Sequence, residues 1–328
     1  MAARLLILGA FLALAAIASL HLGLNMYGPR DVATALFSPS NETTDIVIRN
    51  LRVPRTVLAC LVGASLGIAG AVMQSCTRNP LAEPGLMGVN AGAAFALVAA
   101  LSLFGVETFL LLSAIAAAGA VLASLLVFGL ALSARAVGPG QVLLAGVTVA
   151  ALLASLTQML LVTDEQALEA LLFWLAGSFA DRPVEVLLPG ASLLLLTTVA
   201  LVPMIRALDA LALSDEAAQA IGVSVTRTRL VGLGLAALMA GLCVALAGPV
   251  AFAGLLAPHL ARLMGARGHA QLLPIAALLG ALTCLLADVA ARMVIMPGEA
   301  PVGVLLALLG APTLIVLLDR RRAGRAEA

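Results

Sequence analysis

The sequence contains no lysine, and this absence excludes one large class of activity. Every one of the 18 basic residues is an arginine. A phosphate-binding loop of the type that hydrolyses ATP needs a lysine to reach the phosphates, so this chain cannot hydrolyse ATP by that route. Charge of either sign is scarce, at 11% of residues, and a net charge of +1 argues against a nucleic-acid partner.

Signatures of enzymes and metal sites are also missing. The four cysteines form no C-x-x-C pair and lie in apolar stretches, which predicts buried free thiols instead of a disulfide framework or a zinc site. The three histidines, His21, His259 and His269, are scattered, and nothing resembles an H-E-x-x-H motif or a Ser-His-Asp set. The chain is therefore not expected to be an enzyme, and no catalytic, cofactor-binding or metal-binding residue is predicted.

Apolar residues are what the sequence has in excess. They make up 62% of the chain and the mean hydropathy is +1.14, whereas soluble domains are roughly 25% charged. A bilayer absorbs such apolar surface, and about 20 apolar residues make one crossing. The sequence therefore predicts an all-α, polytopic membrane protein with a single domain over residues 1–328. Ten apolar segments are predicted, at about 4–24, 53–75, 87–105, 108–133, 141–162, 186–205, 228–247, 252–265, 271–295 and 301–318.

The arginines predict how these segments are oriented, because cytoplasmic loops carry an excess of basic residues. With the N-terminus inside and the segments alternating, most arginines fall on the cytoplasmic side, among them Arg4, Arg78 and the run at 320–322. Both termini are therefore expected in the cytoplasm. A secretory signal over 1–19 is the alternative at the N-terminus, but the apolar run continues to Leu24, so a retained first helix is predicted.

A weak internal repeat is visible in the small residues. Three of them recur at a constant spacing: Gly63, Ala69 and Gly70 return as Gly241, Ala247 and Gly248. A Pro-containing segment follows each copy, at 79–85 and at 254–259. Transporters are often built from repeats with interrupted helices at matching positions. Coincidence among helices rich in Gly and Ala is the alternative.

One cytoplasmic connection, at about 206–227, is predicted to contain a short surface helix. Ser214 is a good N-cap residue, and Asp215 and Glu216 follow in the first turn, where the helix dipole favours acids. Gly222 is a suitable C-terminal stop. The Ala-rich face of this helix lets another protein approach closely, but an ordinary capped loop helix explains the pattern equally well.

Several motifs follow one another in a characteristic order. They are L-R-V-P-R-T at 51–56, V-G-A at 62–64, G-A-V-M-Q at 70–74, R-N-P-L-A-E-P-G-L-M-G-V at 78–89, E-A-A at 216–218, A-P-H-L-A-R at 257–262, L-A-D-V-A-A-R at 286–292, E-A-P-V-G-V at 299–304 and G-A-P at 310–312. Together they resemble the FecCD family, the permeases of type II ATP-binding-cassette importers for ferric siderophores, haem and cobalamin. The resemblance covers about residues 20 to 318.

The resemblance implies an architecture and a set of partners. It implies ten membrane helices per subunit in the bacterial inner membrane, and a second permease subunit that is either the same chain or a similar one. Two cytoplasmic ATPases would bind ATP and Mg, and an extracytoplasmic binding protein would deliver the substrate. No cofactor is expected in this chain. The coupling helix that docks on the ATPase would be formed by Ser214, Asp215, Glu216, Ala217, Ala218 and Gly222.

The resemblance also assigns two arginines and a turn. Arg52 and Arg292 match positions that pair with acidic residues of the binding protein, and both fall on the predicted outer side. The alternatives are an interfacial anchor for Arg52 and an ion pair of Arg292 with Asp288, four residues earlier on the same helix. Pro139 and Gly140 lie where the family narrows its pathway on the cytoplasmic side, although small hydroxyl residues are usual there.

The substrate is the least specific part of the resemblance. The stretch F-W-L-A-G-S-F at 173–179 is similar to a W-L-x-G-S pattern of iron-siderophore members, which favours a ferric siderophore. Haem and cobalamin are the alternatives within the family. An ion-driven secondary transporter is the alternative from a different class; Asp288 would be its main buried carboxylate, and the neighbouring Arg292 argues against proton transport by that residue.

Overall fold

The computed structural model describes residues 1–40, 42–133, 139–180, 182–295 and 298–313. The helices follow in this order: α1 (Ala2–His21), α2 (Pro29–Phe37), α3 (Thr43–Val47), α4 (Val53–Thr77), α5 (Val89–Phe104), α6 (Phe109–Ser133), α7 (Pro139–Leu161), α8 (Glu165–Ala176), α9 (Val184–Leu201), α10 (Ile205–Ala210), α11 (Asp215–Ala220), α12 (Val225–Ala247), α13 (Ala253–Leu263), α14 (His269–Val294) and α15 (Val302–Thr313). The predicted all-α class is confirmed in this part of the chain.

Seven stretches of the described chain are long and apolar enough to cross a membrane. They are Ala2–His21, Thr43–Thr77, Phe109–Ala131, Gly140–Leu161, Glu185–Ala210, Val225–Ala247 and His269–Val294. α5 and α15 are apolar but shorter. Each of the ten predicted segments contains one helix of the fold, so the polytopic membrane architecture is confirmed. Ten crossings and the side of each terminus stay predictions.

α13 is shorter than the crossing predicted over 252–265. Its 11 residues extend about 16 Å at 1.5 Å per residue, roughly half of a ~30 Å hydrocarbon core. Phe252, just before the helix, has a φ of +66° and donates its backbone N–H to Glu83 Oε1 at 2.6 Å. Irregular backbone at membrane depth requires partners inside the protein, and Glu83 supplies one. An apolar run in the sequence cannot show such an interruption.

α4 lies at the centre of the bundle. It is buried along most of its length and packs against α12, α13 and α14. The backbones of α4 and α14 touch, because a Cβ added at Gly63 would lie 2.3 Å from the backbone oxygen of Gly280. α5 and α6 touch in the same way at Gly92 and Gly119. Lipid tails are as apolar as leucine, so close packing of this kind, more than the hydrophobic effect, holds membrane helices together.

Each copy of the predicted repeat packs against the helices that follow the other copy. α4 contacts α13 and α14, while α12 contacts α5 and α6. α4 and α12 also pack against each other. The Pro-containing segments that follow the two copies meet at Gly254 and Pro84, since a Cβ added at Gly254 would lie 3.0 Å from Pro84 Cδ. This arrangement agrees with an internal repeat, which itself stays a prediction.

Residues predicted to lie on the same side of the membrane contact one another. At the end that we call the inner end, Arg4 Nη1 donates to Gly265 O at 3.2 Å, and Arg78 pairs with Asp215 at 2.7 Å. At the opposite end, the outer end, Arg52 and Arg292 both reach the last residues of α1. The alternating order of the predicted segments is therefore compatible with the fold.

Three short helices lie between predicted segments where the sequence predicts none: α2 and α3 between 4–24 and 53–75, and α8 between 141–162 and 186–205. α2 begins with Pro29 at its first position, where a missing N–H costs nothing. α8 begins after Asp164, whose carboxylate accepts a hydrogen bond from Ala167 N–H at 3.0 Å and caps the helix. Trp174, near the end of α8, is buried against the bundle. All three helices are too short to span, so a search for long apolar runs does not find them.

Candidate functional site

At the inner end, the predicted surface helix is present as α11. The Ser214 hydroxyl accepts a hydrogen bond from Ala217 N–H at 3.1 Å, as expected of an N-cap residue. Glu216 and Ala217 are exposed, and the pKa of the Glu216 carboxyl is held below its usual value by hydrogen bonds from its own backbone N–H and from Ser214. The helix therefore presents an acid and a small side chain to the solvent side.

α11 also ends as the sequence predicts. Gly222 has a φ of +85°, a conformation that glycine adopts without strain. Val223 N–H donates to Ala218 O at 3.0 Å and Gly222 N–H donates to Gln219 O at 2.9 Å. These are the two hydrogen bonds of a Schellman motif, and they fix the exit of the chain. Ala218 is buried, so it belongs to the packed side of α11.

Asp215 holds α11 to the bundle. Its carboxylate pairs with Arg78 at 2.7 Å and with Arg229 of α12 at 3.0 Å. Arg78 lies just after α4 and also donates to the backbone oxygens of Leu211 and Leu213. These contacts could not be predicted from the sequence, because no local spacing relates the three charged residues. Asp215 is therefore an anchor of the surface helix, and Glu216 is its freely exposed acid.

A groove of about 540 Å³ opens behind this loop at the inner end. His269, the first residue of α14, lies on its wall between two partners. Its Nδ1 is 2.6 Å from Asp209 Oδ1, and its Nε2 is 2.7 Å from Ser75 Oγ. The backbone N–H of His269 also donates to Asp209 Oδ1, at 2.7 Å. The fold thus brings together a Ser-His-Asp set that is dispersed in the sequence.

Ser75 has a second contact, within its own helix. Its Oγ lies 2.9 Å from Ala71 O, one turn earlier in α4. The contacts of the set therefore indicate a structural connection between α4, α10 and α14.

At the outer end, Asp288 of α14 is the centre of a buried ionic cluster. It is 0% exposed and accepts hydrogen bonds from Arg55 Nε at 2.9 Å and from Arg292 Nη2. Arg55 also pairs with Glu299 at 2.8 Å. Arg292 donates to Ser19 O at 3.0 Å and is 4% exposed. The intrahelical pair that was the alternative for Arg292 is therefore present, and Arg55 is a partner that the sequence analysis did not find.

Arg52 is also buried and bound within the chain. Its guanidinium donates to Leu20 O at 2.7 Å and to Asn25 O, and it stacks 4.4 Å from the ring centroid of Tyr27. Its residue exposure is 7%. Docking of a partner by Arg52 and Arg292 stays a prediction, and it would require both side chains to exchange these intramolecular contacts for new ones.

The predicted gate falls at the start of α7. Pro139 is the first residue of this helix, and Gly140 is exposed with nothing within 4 Å of an added Cβ. The preceding residue of the turn, Gly138, lies outside the described residues. A gating role for Pro139 and Gly140 therefore stays a prediction.

Comparison with known proteins gives a consistent result over nearly the whole chain. The sequence model of the FecCD transport family matches residues 11–320. The ferric enterobactin transport system permease protein FepD of Escherichia coli (strain K12) is 40% identical over 308 residues, which cover 91% of this chain and 90% of FepD. The Fe(3+) dicitrate transport system permease protein FecC of the same organism is 40% identical over 298 residues and covers 88% of both chains.

A solved structure shows the same fold. It is described as an inward-facing conformation of a metal-chelate type ABC transporter, and it matches this chain with a TM-score of 0.83 at 30% sequence identity. The match covers 96% of this chain and 98% of that one. The likeness therefore extends to the arrangement of the helices as well as to the sequence.

Proposed function

This chain belongs to the FecCD transport family, and we propose that it is the transmembrane permease subunit of an ATP-binding-cassette importer for an iron chelate, in particular a ferric siderophore. The observation that carries the proposal is α11, an exposed helix that is capped at both ends and held to α4 and α12 through Asp215. Such a helix can be pushed by a partner without unfolding, and its anchors pass the force into the membrane helices.

The energy source would be a separate ATPase on the cytoplasmic side. With no lysine the chain has no phosphate-binding loop of its own, so ATP and Mg would be bound by the partner. ATP shifts a conformational equilibrium only through its different affinity for the two states. The permease would therefore alternate between outward- and inward-facing packings as the ATPase pair closes and opens against α11.

The other proposed partners follow from the family. A second permease subunit would form the pathway together with this chain, and a binding protein would deliver the chelate from the outer side. The bacterial inner membrane is the proposed location. Arg52 and Arg292 are the proposed docking residues, and their buried contacts with the end of α1 mean that docking would be coupled to a local rearrangement there.

The relatives support iron as the cargo. The two permeases named above transport ferric enterobactin and Fe(3+) dicitrate by name, and both are 40% identical to this chain. Both cargoes are iron(III) held by an organic chelator, so this class of compound is proposed here. Haem and cobalamin are the competing cargoes to be included in any transport assay.

The geometry at Asp288 disfavours the ion-driven alternative. A proton-carrying carboxylate has to be released from its partners during each cycle, whereas Asp288 is 0% exposed and bound by both Arg55 and Arg292. Asp288 is thus better suited to hold α4 and α14 together than to carry protons.

The proposal is tested by reconstituting the chain in liposomes with a candidate ATPase and a candidate binding protein from its own organism. We expect ATP-dependent uptake of a ferric siderophore by the native chain, and loss of ATPase binding in a Glu216→Arg, Gly222→Leu double variant. The matched control is Glu165→Arg with Gly105→Leu, which changes an equivalent first-turn acid of α8 and an equally open glycine with a φ of +61° at the outer end.

The possible outcomes separate the classes. Uptake by the native chain and by the control, but not by the double variant, supports the importer. Uptake that needs an ion gradient and no ATPase would replace it with a secondary transporter. Uptake of haem or cobalamin in preference to ferric chelates would keep the importer and correct its cargo.

A further inference from the structure

We propose that α2 lies on the surface of the bilayer at the outer end, with Leu36 and Phe37 inserted among the lipids of that leaflet. The partner of this helix face is phospholipid, not protein. Through this contact α2 fixes the turn at 22–28, which connects it to α1 and holds Arg52. The contact goes beyond the proposed function and is the same for any cargo.

The fold places α2 beside the end of the first predicted membrane helix. After α1 ends at His21 the chain turns back, and Tyr27 N–H donates to His21 O at 3.2 Å. The His21 ring closes the same turn, with Nδ1 2.9 Å from Tyr27 O. The buried side chains of α2 pack against Tyr27 and against Leu20, in the last turn of α1. A helix packed on the last turn of a spanning helix lies where the bilayer meets water.

α2 has two apolar faces and one polar face, since successive residues of an α-helix are about 100° apart. The buried face consists of Val32 and Ala35. The second apolar face lies next to it and is exposed, and its residues are Ala33, Leu36 and Phe37. The polar face completes the helix with Arg30, Asp31 and Thr34. Phe37 is 84% exposed. An exposed apolar face beside a polar one is typical of a helix that lies in a membrane surface.

The neighbouring surface indicates that lipid covers this face. Only 17% of the apolar stretch of α1 is buried, and its exposed side chains include Phe11, Leu14 and Ile17. In the turn after α1, Leu24 and Met26 are exposed as well. Exposed apolar residues thus continue from a helix suited to cross the bilayer, through the turn, to α2. A lipid that contacts the outer part of α1 can therefore also contact α2.

The polar residues of this region fit the same position. Tyr27 is the only tyrosine of the chain, and tyrosine is enriched where membrane and water meet. Arg30 and Asp31 are the only charged residues of α2 and have opposite signs, so α2 has no excess of positive charge to attract anionic lipid. Its attachment therefore depends on apolar insertion, which reaches about 5–10 Å into the boundary between headgroups and acyl chains. Zwitterionic lipid should be sufficient.

Attachment of α2 bears on Arg52 through the turn at 22–28. The Arg52 guanidinium donates to Asn25 O and stacks 4.4 Å from the ring centroid of Tyr27. It also packs closely on Gly23, where an added Cβ would lie 2.9 Å from Arg52 Nη2. The turn is continuous with α1 on one side and with α2 on the other. With α2 held by lipid, both ends of the turn are fixed at the membrane surface.

The lipid contact is tested by tryptophan fluorescence of the full chain in nanodiscs of phosphatidylcholine brominated near the headgroup. The variants are Leu36→Trp and Phe37→Trp, and the signal of the native chain, which has the single tryptophan Trp174, is subtracted. Thr34→Trp is the matched control in the same helix, about 160° from Leu36. We expect emission at shorter wavelength and stronger quenching by bromine in both apolar-face variants than in Thr34→Trp.

Three results would overturn the lipid contact. Unshifted and unquenched emission from Leu36→Trp and Phe37→Trp would place this face in water. Shifted emission without quenching would mean that protein covers it, for example a second copy of this chain. Equal quenching in all three variants would show that α2 is not oriented by its apolar face.

The effect on the turn is tested by hydrogen exchange in nanodiscs of unmodified phosphatidylcholine. In a Leu36→Ser, Phe37→Ser double variant we expect faster exchange of the Tyr27 amide, which is bonded to His21 O, and unchanged exchange in α4. The matched control is Leu103→Ser with Phe104→Ser, an equally exposed Leu-Phe pair at the end of α5. A Tyr27 amide that exchanges at the native rate in the first variant would refute the claim that lipid contact fixes the turn.

Discussion

Substitution of Asp288 by alanine is expected to destabilise the folded chain strongly, because it leaves two buried arginines without their common partner. Removing one member of a buried ion pair typically costs about 3–5 kcal/mol. The structure places this case near the lower limit. Arg55 keeps Glu299 at 2.8 Å, and Arg292 keeps Ser19 O and Oγ, each at 3.0 Å. We therefore expect a loss of about 3 kcal/mol in the free energy of unfolding.

The measurement is reversible unfolding of the purified chain in mixed micelles by titration with a denaturing detergent. Glu185→Ala is the control, since Glu185 is exposed, and surface substitutions usually change stability by less than about 0.5 kcal/mol. Adding Arg292→Leu to Asp288→Ala should recover part of the loss, because it removes one uncompensated charge. If Asp288→Ala matched the control, or if the second substitution made matters worse, the ionic cluster would not stabilise the fold as argued.

Three further predictions concern single positions. Gly63→Ala should lower the free energy of unfolding by about 1–3 kcal/mol, because the new Cβ would overlap Gly280 O. Gly129→Ala is the control and should not destabilise, since nothing lies within 4 Å of a Cβ added there. Similar stabilities of the two variants would contradict the close contact. Ser214→Ala should remove the N-cap of α11 at a cost of about 1 kcal/mol, visible as faster hydrogen exchange of the Ala217 amide while exchange in α14 is unchanged. Hydrogen bonds in the folded chain lower the pKa of Glu216, so the stability that its carboxylate contributes is present above the ordinary value of 4.5 and is lost as the pH falls through the folded pKa. Protection of the α11 amides against hydrogen exchange should decrease over the same pH range, and a Glu216→Gln chain should lack this pH dependence.

The sequence was sufficient for the parts of the fold that depend on local pattern. Long apolar runs placed a helix in each of the ten predicted segments, and the caps of α11 were recognisable from Ser214 and Gly222, since both act within a few residues of their own position. The helices α2, α3 and α8 were not predicted, because each is too short to give a long apolar run. The interruption before α13 was not predicted, because the side chain that accepts its backbone N–H belongs to Glu83, which is distant in the chain.

The sites show the same limit more sharply. Arg292 and Asp288 are four residues apart, so their pairing could be considered from helical spacing alone. Arg55 reaches the same carboxylate from another helix, and no spacing relates it to Asp288. Ser75, Asp209 and His269 are likewise distant in sequence, and each has an unremarkable local context. Tertiary packing decides which polar groups share a buried site. A single sequence considered alone carries no record of that packing.

The positions of these clusters restrict how the helices can move during transport. α14 is tied to α4 at the inner end through His269 and Ser75, and at the outer end through Asp288 and Arg55. Between these ends, the backbones touch at Gly63 and Gly280. Separating the two helices would expose buried ionic groups and break close packing along the whole interface, which is costly in a bilayer. A change in access is therefore easier at the contacts of α7 and α9 than between α4 and α14. Only 22% of the residues in the apolar stretch of α7 and 33% of those in the stretch of α9 are buried.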